Sequence, residues 1–105
     1  MSENILEQIR AAATKRLLFL PHAIRQMSRT DRMITSKEVE RAVTAGEIVE
    51  DYPGDIRGHS CLLLGFGEEG RPIHVLCSPK DEYVAVITAY VPDPTRWSPD
   101  FKRRL

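Results

Sequence analysis

The pattern of apolar residues changes its period at Gly46, and this change constrains the fold more than any other sequence feature. Before this glycine, apolar residues recur at helical spacing. After it, short extended segments alternate with clusters of turn residues. Helices followed by strands with short connections are typical of an α+β domain. We therefore predict one domain over residues 1–105, with N-terminal helices packed on a four-stranded antiparallel meander.

The first two helices are predicted on either side of a short apolar segment. Residues 4–14 form a helix whose apolar stripe consists of Ile5, Ile9, Ala12 and Ala13. The segment 16–20 is either a brief strand or a buried connector, and it stops at Pro21. Because proline suits the first turn of a helix, Pro21 begins a second helix that runs to about Thr30.

A third helix precedes the change of period. Thr35 or Ser36 caps its N-terminus, and Glu38, three residues after Thr35, completes a capping box. Val39, Ala42 and Val43 give this helix its apolar face. It ends at Gly46.

Four strands are predicted after the helices, at 47–52, 60–66, 72–77 and 83–90. If the Gly67–Gly70 loop pairs Phe66 with Arg71, one face of the sheet is the core. That face carries Leu62, Leu64, Phe66, Ile73, Val75, Cys77, Val84 and Val86. The opposite face has several small side chains, which favours a shallow groove or a partner's contact surface. Its residues are Cys61, Leu63, Gly65, His74, Leu76, Ala85, Ile87 and Ala89.

Composition excludes several classes of protein. The longest apolar run, Tyr83–Ile87, is far shorter than the roughly 18 residues of a membrane span. The segment 1–4 lacks the features of a secretory signal. Cys61 and Cys77 form neither a disulfide framework nor a metal-binding half-site. We therefore expect a cytoplasmic protein with reduced thiols, without membrane contact, metal or other cofactor.

Charge is balanced in total but not along the chain, which has Lys+Arg 15 and Asp+Glu 15. Between Arg10 and Arg32 there are six cations and one anion, whereas 38–55 contains six anions and one cation. The segment from Arg96 holds four cations and one anion. This distribution predicts either opposed basic and acidic patches or scattered, solvated charges.

Three sets of residues have side chains suited to RNA chemistry. His22, Arg25 and Arg29 share one side of the second helix, where they form either a phosphate-handling set or a solvated stripe. His74 lies on a central strand and is either catalytic or a hydrogen-bonded core residue. Tyr90 and Trp97 are suited either to stacking on bases or to capping the core.

Six segments, taken in order, resemble the bacterial domain-of-unknown-function family numbered four-two-five-eight, over roughly residues 16–97. They are Pro21–Met27, Arg32–Thr35, Gly46–Tyr52, Leu62–Gly65, Gly70–Val75 and Ile87–Tyr90. That family is similar to the RelE/ParE-like toxin superfamily, and its His-Ala opening is similar to that of the BrnT-type toxins. The resemblance implies a RelE-like fold and a partner antitoxin, which for some members is a YgiT-type zinc-finger protein.

The resemblance also implies a ribonuclease that sets the ribose 2′-hydroxyl on the adjacent phosphate without a metal. The residues that match the family pattern are His22, Arg32, His74 and Tyr90. Gln26 stands where the family usually has arginine, so Arg25 and Arg29 depend on the helix-face argument alone. The predicted catalytic residues are His22, Arg25, Arg29, His74 and Tyr90. The predicted RNA-binding residues are Arg25, Arg29, Arg32 and Trp97.

The alternative function is a non-catalytic interaction module that keeps the fold and binds a partner protein. Net neutrality and the small side chains predicted on one sheet face favour this alternative. The charge separation and the His/Arg stripe favour the toxin-like ribonuclease, which is the function that we predict.

Overall fold

The computed structural model describes residues 4–105 and forms three helices and a five-stranded sheet. No helix among these residues is long and apolar enough to cross a membrane. The helices and strands, in chain order, are α1 (Ile5–Ala13), β1 (Leu17–Phe19), α2 (Pro21–Met27), α3 (Ser36–Ala45), β2 (Glu47–Tyr52), β3 (Ser60–Phe66), β4 (Pro72–Pro79) and β5 (Val84–Tyr90).

The helix caps follow from local sequence. The Thr35 side chain accepts a hydrogen bond from the Glu38 backbone and the Glu38 side chain accepts from the Thr35 backbone, so the predicted capping box is confirmed. The second helix ends at Met27, three residues before the predicted end. It stops because the chain folds back and the Ile34 amide donates to the Met27 carbonyl, which buries Ile34 in the core.

The prediction of an α+β domain is confirmed, but the four-stranded antiparallel sheet is wrong. The sheet is mixed, with the order β1-β5-β4-β3-β2, and β1 pairs in parallel with β5. The other neighbouring pairs are antiparallel, as a meander requires. The three residues of β1 are too few to show a strand period, so the sequence left strand and connector open at this position.

A shift of one residue between β3 and β4 inverts the predicted faces of β3. Phe66 pairs with Pro72, not with Arg71, because Arg71 belongs to the turn, where its carbonyl accepts from the Gly67 amide at 2.8 Å. Cys61 and Leu63 therefore join the core, and Phe66 is exposed. The predicted core residues of β4 and β5 are confirmed, namely Ile73, Val75, Cys77, Val84 and Val86.

Small residues on the sheet serve helix packing. A Cβ atom at Gly65 would lie 2.5 Å from both the Cα and the Cβ of Ala42, so α3 approaches β3 as closely as glycine allows. Ala89 also belongs to the core. The prediction that Gly65 and Ala89 lie on the face opposite the core is therefore wrong.

The opposite face of the sheet is covered in part by the segment 96–105. Trp97 and Arg104 form an antiparallel bridge, and the Leu105 amide donates to the Arg96 carbonyl at 2.9 Å. We call this segment the 96–105 hairpin. It packs against His74 of β4 through the Trp97 ring, whose centroid lies 4.4 Å from the imidazole centroid.

Candidate nucleic-acid interface

The outer side of α2 presents an imidazole and a guanidinium to solvent. Pro21 occupies the first turn, and Ala23 and Met27 anchor the inner side in the core. His22 and Arg25 lie on the exposed side. Neither side chain has a hydrogen bond or an ion pair with another residue in the range 4–105. Their polar atoms are therefore available to a ligand.

The turn that follows α2 adds two more cations. Arg29 binds Asp31 through both carboxylate oxygens, at 3.2 Å each, and half of its side chain is exposed. Arg32 lies 3.9 Å from the same carboxylate, measured from its Nε to Oδ1. We call His22, Arg25, Arg29 and Arg32 the basic patch. The predicted stripe is thus present, but Arg29 and Arg32 belong to a turn and not to the helix.

A buried ion pair holds this turn. Arg71 donates to both carboxylate oxygens of Glu38, at 2.9 and 2.7 Å, and also to the carbonyls of Arg32 and Met33, at 2.6 and 3.1 Å. The hydrogen bond from Arg71 lowers the pKa of Glu38 to about 2. Met33 has a φ of 44°, a left-handed conformation that costs energy in a residue other than glycine.

Arg71 is a residue that sequence reasoning missed. Its position in a turn gave no sign that it would cross to α3, and the capping box accounted fully for Glu38. Only a weak feature of the sequence indicated that Glu38 would need a cationic partner. Glu38 lies on the apolar side of α3, between Val39 and Thr35, where a buried carboxylate requires a cation.

His74 is sealed within the protein. Its side chain is fully buried, with Nε2 2.9 Å from the Phe101 carbonyl and Nδ1 3.2 Å from the Tyr90 hydroxyl. A carbonyl only accepts, so Nε2 carries the proton and Nδ1 accepts from Tyr90. Burial lowers the pKa of His74, which keeps the ring neutral. Of the two alternatives for His74, a catalytic group or a hydrogen-bonded core residue, the geometry supports the second.

Tyr90 and Trp97 flank this histidine. Tyr90 is half-buried, and burial raises its pKa, so the phenol stays protonated. Trp97 is 4 % exposed and packs between the imidazole and the Arg104 guanidinium, which lies 4.7 Å from the centre of its ring. Trp97 caps the core in this position, and its buried ring has no free face for a base.

The structure brings the predicted site residues together in two separate groups. The basic patch lies on the helix side of the sheet, since the inner residues of α2 enter the same core as α1 and α3. His74, Tyr90 and Trp97 lie on the opposite face, beneath the 96–105 hairpin. The strand β5 connects the two groups, because α2 packs against it and Tyr90 ends it.

Ion pairs also cancel much of the predicted charge separation. Lys102 of the hairpin binds Glu47 at 3.1 Å, and Arg104 binds Glu50 at 2.7 Å. The hydrogen bond from Arg104 lowers the pKa of Glu50. The cations near the end of the chain thus neutralise the acidic edge strand β2, and the basic patch keeps the free cation Arg25. Among residues 4–105, no three His, Cys, Asp or Glu side chains are grouped to hold a metal ion.

One known protein family matches the part of the chain that contains the basic patch. The sequence profile of the family described as Domain of unknown function (DUF4258) matches residues 19–91, more than half of the chain. The chain belongs to this family. In this DUF4258 domain, the matched range contains the basic patch, Arg71, His74 and Tyr90, whereas Trp97 and the hairpin lie outside it. No curated protein and no solved structure matches the DUF4258 domain significantly.

Proposed function

We propose that this DUF4258 domain is a toxin-like ribonuclease of the RelE/ParE-like superfamily, which cleaves RNA without a metal and is held inactive by an antitoxin. One observation carries the proposal. The exposed side of α2 presents His22 and Arg25 without partners in the described chain, and it continues into Arg29 and Arg32. A proton carrier beside several guanidinium groups is the set that phosphodiester transfer requires.

The chemistry proceeds by internal transfer at one phosphate. His22 takes the proton of a ribose 2′-hydroxyl, whose oxygen attacks the adjacent phosphorus. Arg25 and its neighbours in the basic patch stabilise the charge that develops on the phosphate oxygens. The bond from phosphorus to the 5′ oxygen breaks, so the products are a 2′,3′-cyclic phosphate and a free 5′-hydroxyl. The 5′ oxygen takes up a proton as it leaves.

Tyr90 and His74 lie apart from the reaction site in this proposal. The Tyr90 phenol is protonated, but its side chain contacts His74 on the sheet face opposite the basic patch. The leaving 5′ oxygen therefore takes its proton from water and not from Tyr90. His74 does not reach solvent, so His74 and Trp97 contribute to stability and not to RNA chemistry.

The antitoxin covers the basic patch in this proposal. Ile24 and Met33 are 52 % and 59 % exposed and lie among the cations of the patch. Apolar side chains among cations fit an acidic segment of a partner protein that carries a few apolar anchors. The non-catalytic interaction module remains the alternative function, and it depends on the same surface.

The cleavage test compares wild type with His22→Ala. We expect His22→Ala to lower the rate of RNA cleavage by roughly 10²–10⁴-fold, the usual contribution of a general acid or base, and to leave RNA binding nearly unchanged. The product should carry a 2′,3′-cyclic phosphate and should form in EDTA. The assay uses protein free of antitoxin, with and without ribosomes.

The controls separate the two functions. His59→Ala changes an imidazole that is bound to Asp51 at 2.5 Å on another part of the surface, so cleavage should be unaffected. Arrest of growth on induced expression, lost in a His22/Arg25 double variant, supports a toxin. Absence of cleavage by the wild type under all these conditions favours the interaction module.

A further inference from the structure

A cleft of about 330 Å³ lies between the turn after α2 and the segment that follows β5. One wall is the turn, and the other is the apolar run Val91-Pro92 with Pro94 beyond it. Tyr90 directly precedes the second wall. The residues that line the cleft are Asp31, Arg32, Arg71, Val91, Pro92, Asp93 and Pro94.

Arg32 has uncommitted donors that face this cleft. Its side chain is only 17 % exposed, yet among residues 4–105 its guanidinium makes no hydrogen bond, and its ion pair with Asp31 spans 3.9 Å. No fully buried side-chain nitrogen in the described chain lacks a partner. The unpaired guanidinium nitrogens of Arg32 therefore reach solvent, and Arg32 is one of the residues that line the cleft. A guanidinium has five hydrogen-bond donors, and those of Arg32 have no acceptor among residues 4–105. An anion bound in the cleft supplies these acceptors.

The other charged groups of the cleft are already engaged. Arg29 holds both carboxylate oxygens of Asp31. Asp93 accepts from the amide and the hydroxyl of Thr95, at 2.8 Å each. Arg71 is committed to Glu38 and to two backbone carbonyls. Arg32 is thus the charged residue of the cleft whose side chain makes no hydrogen bond with residues 4–105.

We propose that the cleft is a subsite for one nucleotide of single-stranded RNA, with the phosphate on Arg32 and the nucleoside against Val91 and Pro94. Arginine binds phosphate oxygens through two donors at once, which fixes the orientation of the phosphate. The volume is at the lower end of the range for small-ligand pockets, which suits a single nucleotide. This inference rests on the proposed function, because it assigns the RNA a place beside the basic patch, to which Arg32 belongs.

The test measures binding of uridine 3′-monophosphate by calorimetry and by amide chemical shifts at low ionic strength. We expect binding to the wild type, with shifts in the 91–94 wall. Uridine without phosphate should bind at least about tenfold more weakly, and Arg32→Ala should weaken binding of the nucleotide by at least about tenfold. Arg32→Lys should restore part of the affinity. Arg16→Ala, which removes an exposed arginine outside the cleft, should leave binding unchanged.

Equal affinity of the wild type and Arg32→Ala for the nucleotide overturns the inference, as does absence of binding to the wild type. Thermal unfolding of each variant confirms that it is folded. The binding measurement requires no cleavage. If the nucleotide binds through Arg32 but RNA is never cleaved, the subsite stands and the proposed function fails. If His22-dependent cleavage is observed but Arg32→Ala alters neither binding nor cleavage, the function stands and the subsite fails.

Discussion

Two histidines in this domain show how environment decides what one residue type can do. His22 has an exposed imidazole without a partner among residues 4–105. His74 uses both ring nitrogens within the protein, and burial lowers its pKa. Proton exchange with a substrate requires an accessible nitrogen, so the proposed function assigns the proton transfer to His22 and leaves His74 a structural role.

Arg25 provides the most direct test of RNA binding at the level of a single residue. We expect Arg25→Ala to weaken RNA binding by order ~1–3 kcal/mol, because the side chain makes no hydrogen bond or ion pair with residues 4–105 and its loss removes donors to phosphate. Fluorescence anisotropy with single-stranded RNA measures the change. Arg41→Ala, at an exposed position on α3, is the matched control and should have little effect. Equal affinity of Arg25→Ala and the wild type would argue against the basic patch.

The two cysteines are predicted to be structural. Cys61 and Cys77 face each other across β3 and β4 and are fully buried, and a hydrogen bond between them together with burial raises the pKa of the Cys77 thiol. We expect each change to alanine to lower the free energy of unfolding by order ~1–2 kcal/mol and to preserve RNA cleavage. Denaturant titration and the cleavage assay check both parts. A folded cysteine variant without activity would contradict this prediction.

At the scale of secondary-structure elements, an ion pair between Glu38 of α3 and Arg71 of the β3–β4 turn makes the stability of the fold depend on pH. The Glu38 pKa is lowered from 4.5 to about 2 by Arg71, so the ion pair stabilises the fold fully above pH 4.5. Because the folded pKa is the lower one, this stabilisation is lost as the pH falls from 4.5 towards 2. Its size is about 3 kcal/mol, since Glu38 is 1 % exposed and little screened.

Denaturant unfolding between pH 2 and pH 6 measures this contribution. Glu38→Gln should destabilise the domain at pH 6 and should flatten the dependence on pH below 4.5. Glu40→Gln changes an exposed carboxylate on the same helix and is the control. If the wild type and Glu38→Gln lose stability in parallel over this range, another carboxylate is responsible.

The elements with a long regular pattern could be predicted from sequence, and those fixed by contacts between distant residues could not. The capping box located α3, and extended apolar segments between clusters of turn residues located β3 to β5. The faces of β3 were wrong because Arg71 lies in the turn, which a count of loop residues does not reveal. The clamp of Arg71 on Glu38 and the 96–105 hairpin depend on tertiary packing, which leaves no local period.

The site residues also divide into those placed by a local pattern and those whose role depends on distant residues. His22 and Arg25 could be placed on one helix side because their spacing matches a helical turn. The role of His74 depended on Phe101, which lies 27 residues further along the chain. No pattern within β4 could identify that acceptor, so the sequence left two interpretations open.

For the whole molecule, RNA binding should depend on a local surface and not on net charge. The chain is neutral, and two of the four hairpin cations, Lys102 and Arg104, are paired with Glu47 and Glu50. We expect the logarithm of the affinity for single-stranded RNA to fall with the logarithm of salt concentration, with a slope of roughly −2 to −3 for three to four phosphate contacts. Arg25→Ala should reduce the magnitude of that slope by about 0.7. Binding that is independent of salt would contradict an electrostatic interface.

The parallel pairing of β1 with β5 has a consequence for biosynthesis. Leu17 pairs with Val84, so the first strand waits for its neighbour until most of the chain has been translated. The helix α2 follows β1 directly and packs against β5, which is synthesised after the other four strands of this sheet. The residues of the basic patch are therefore synthesised before the strand against which α2 packs. The packing of α2, which carries His22 and Arg25, therefore becomes complete only after β5 has emerged.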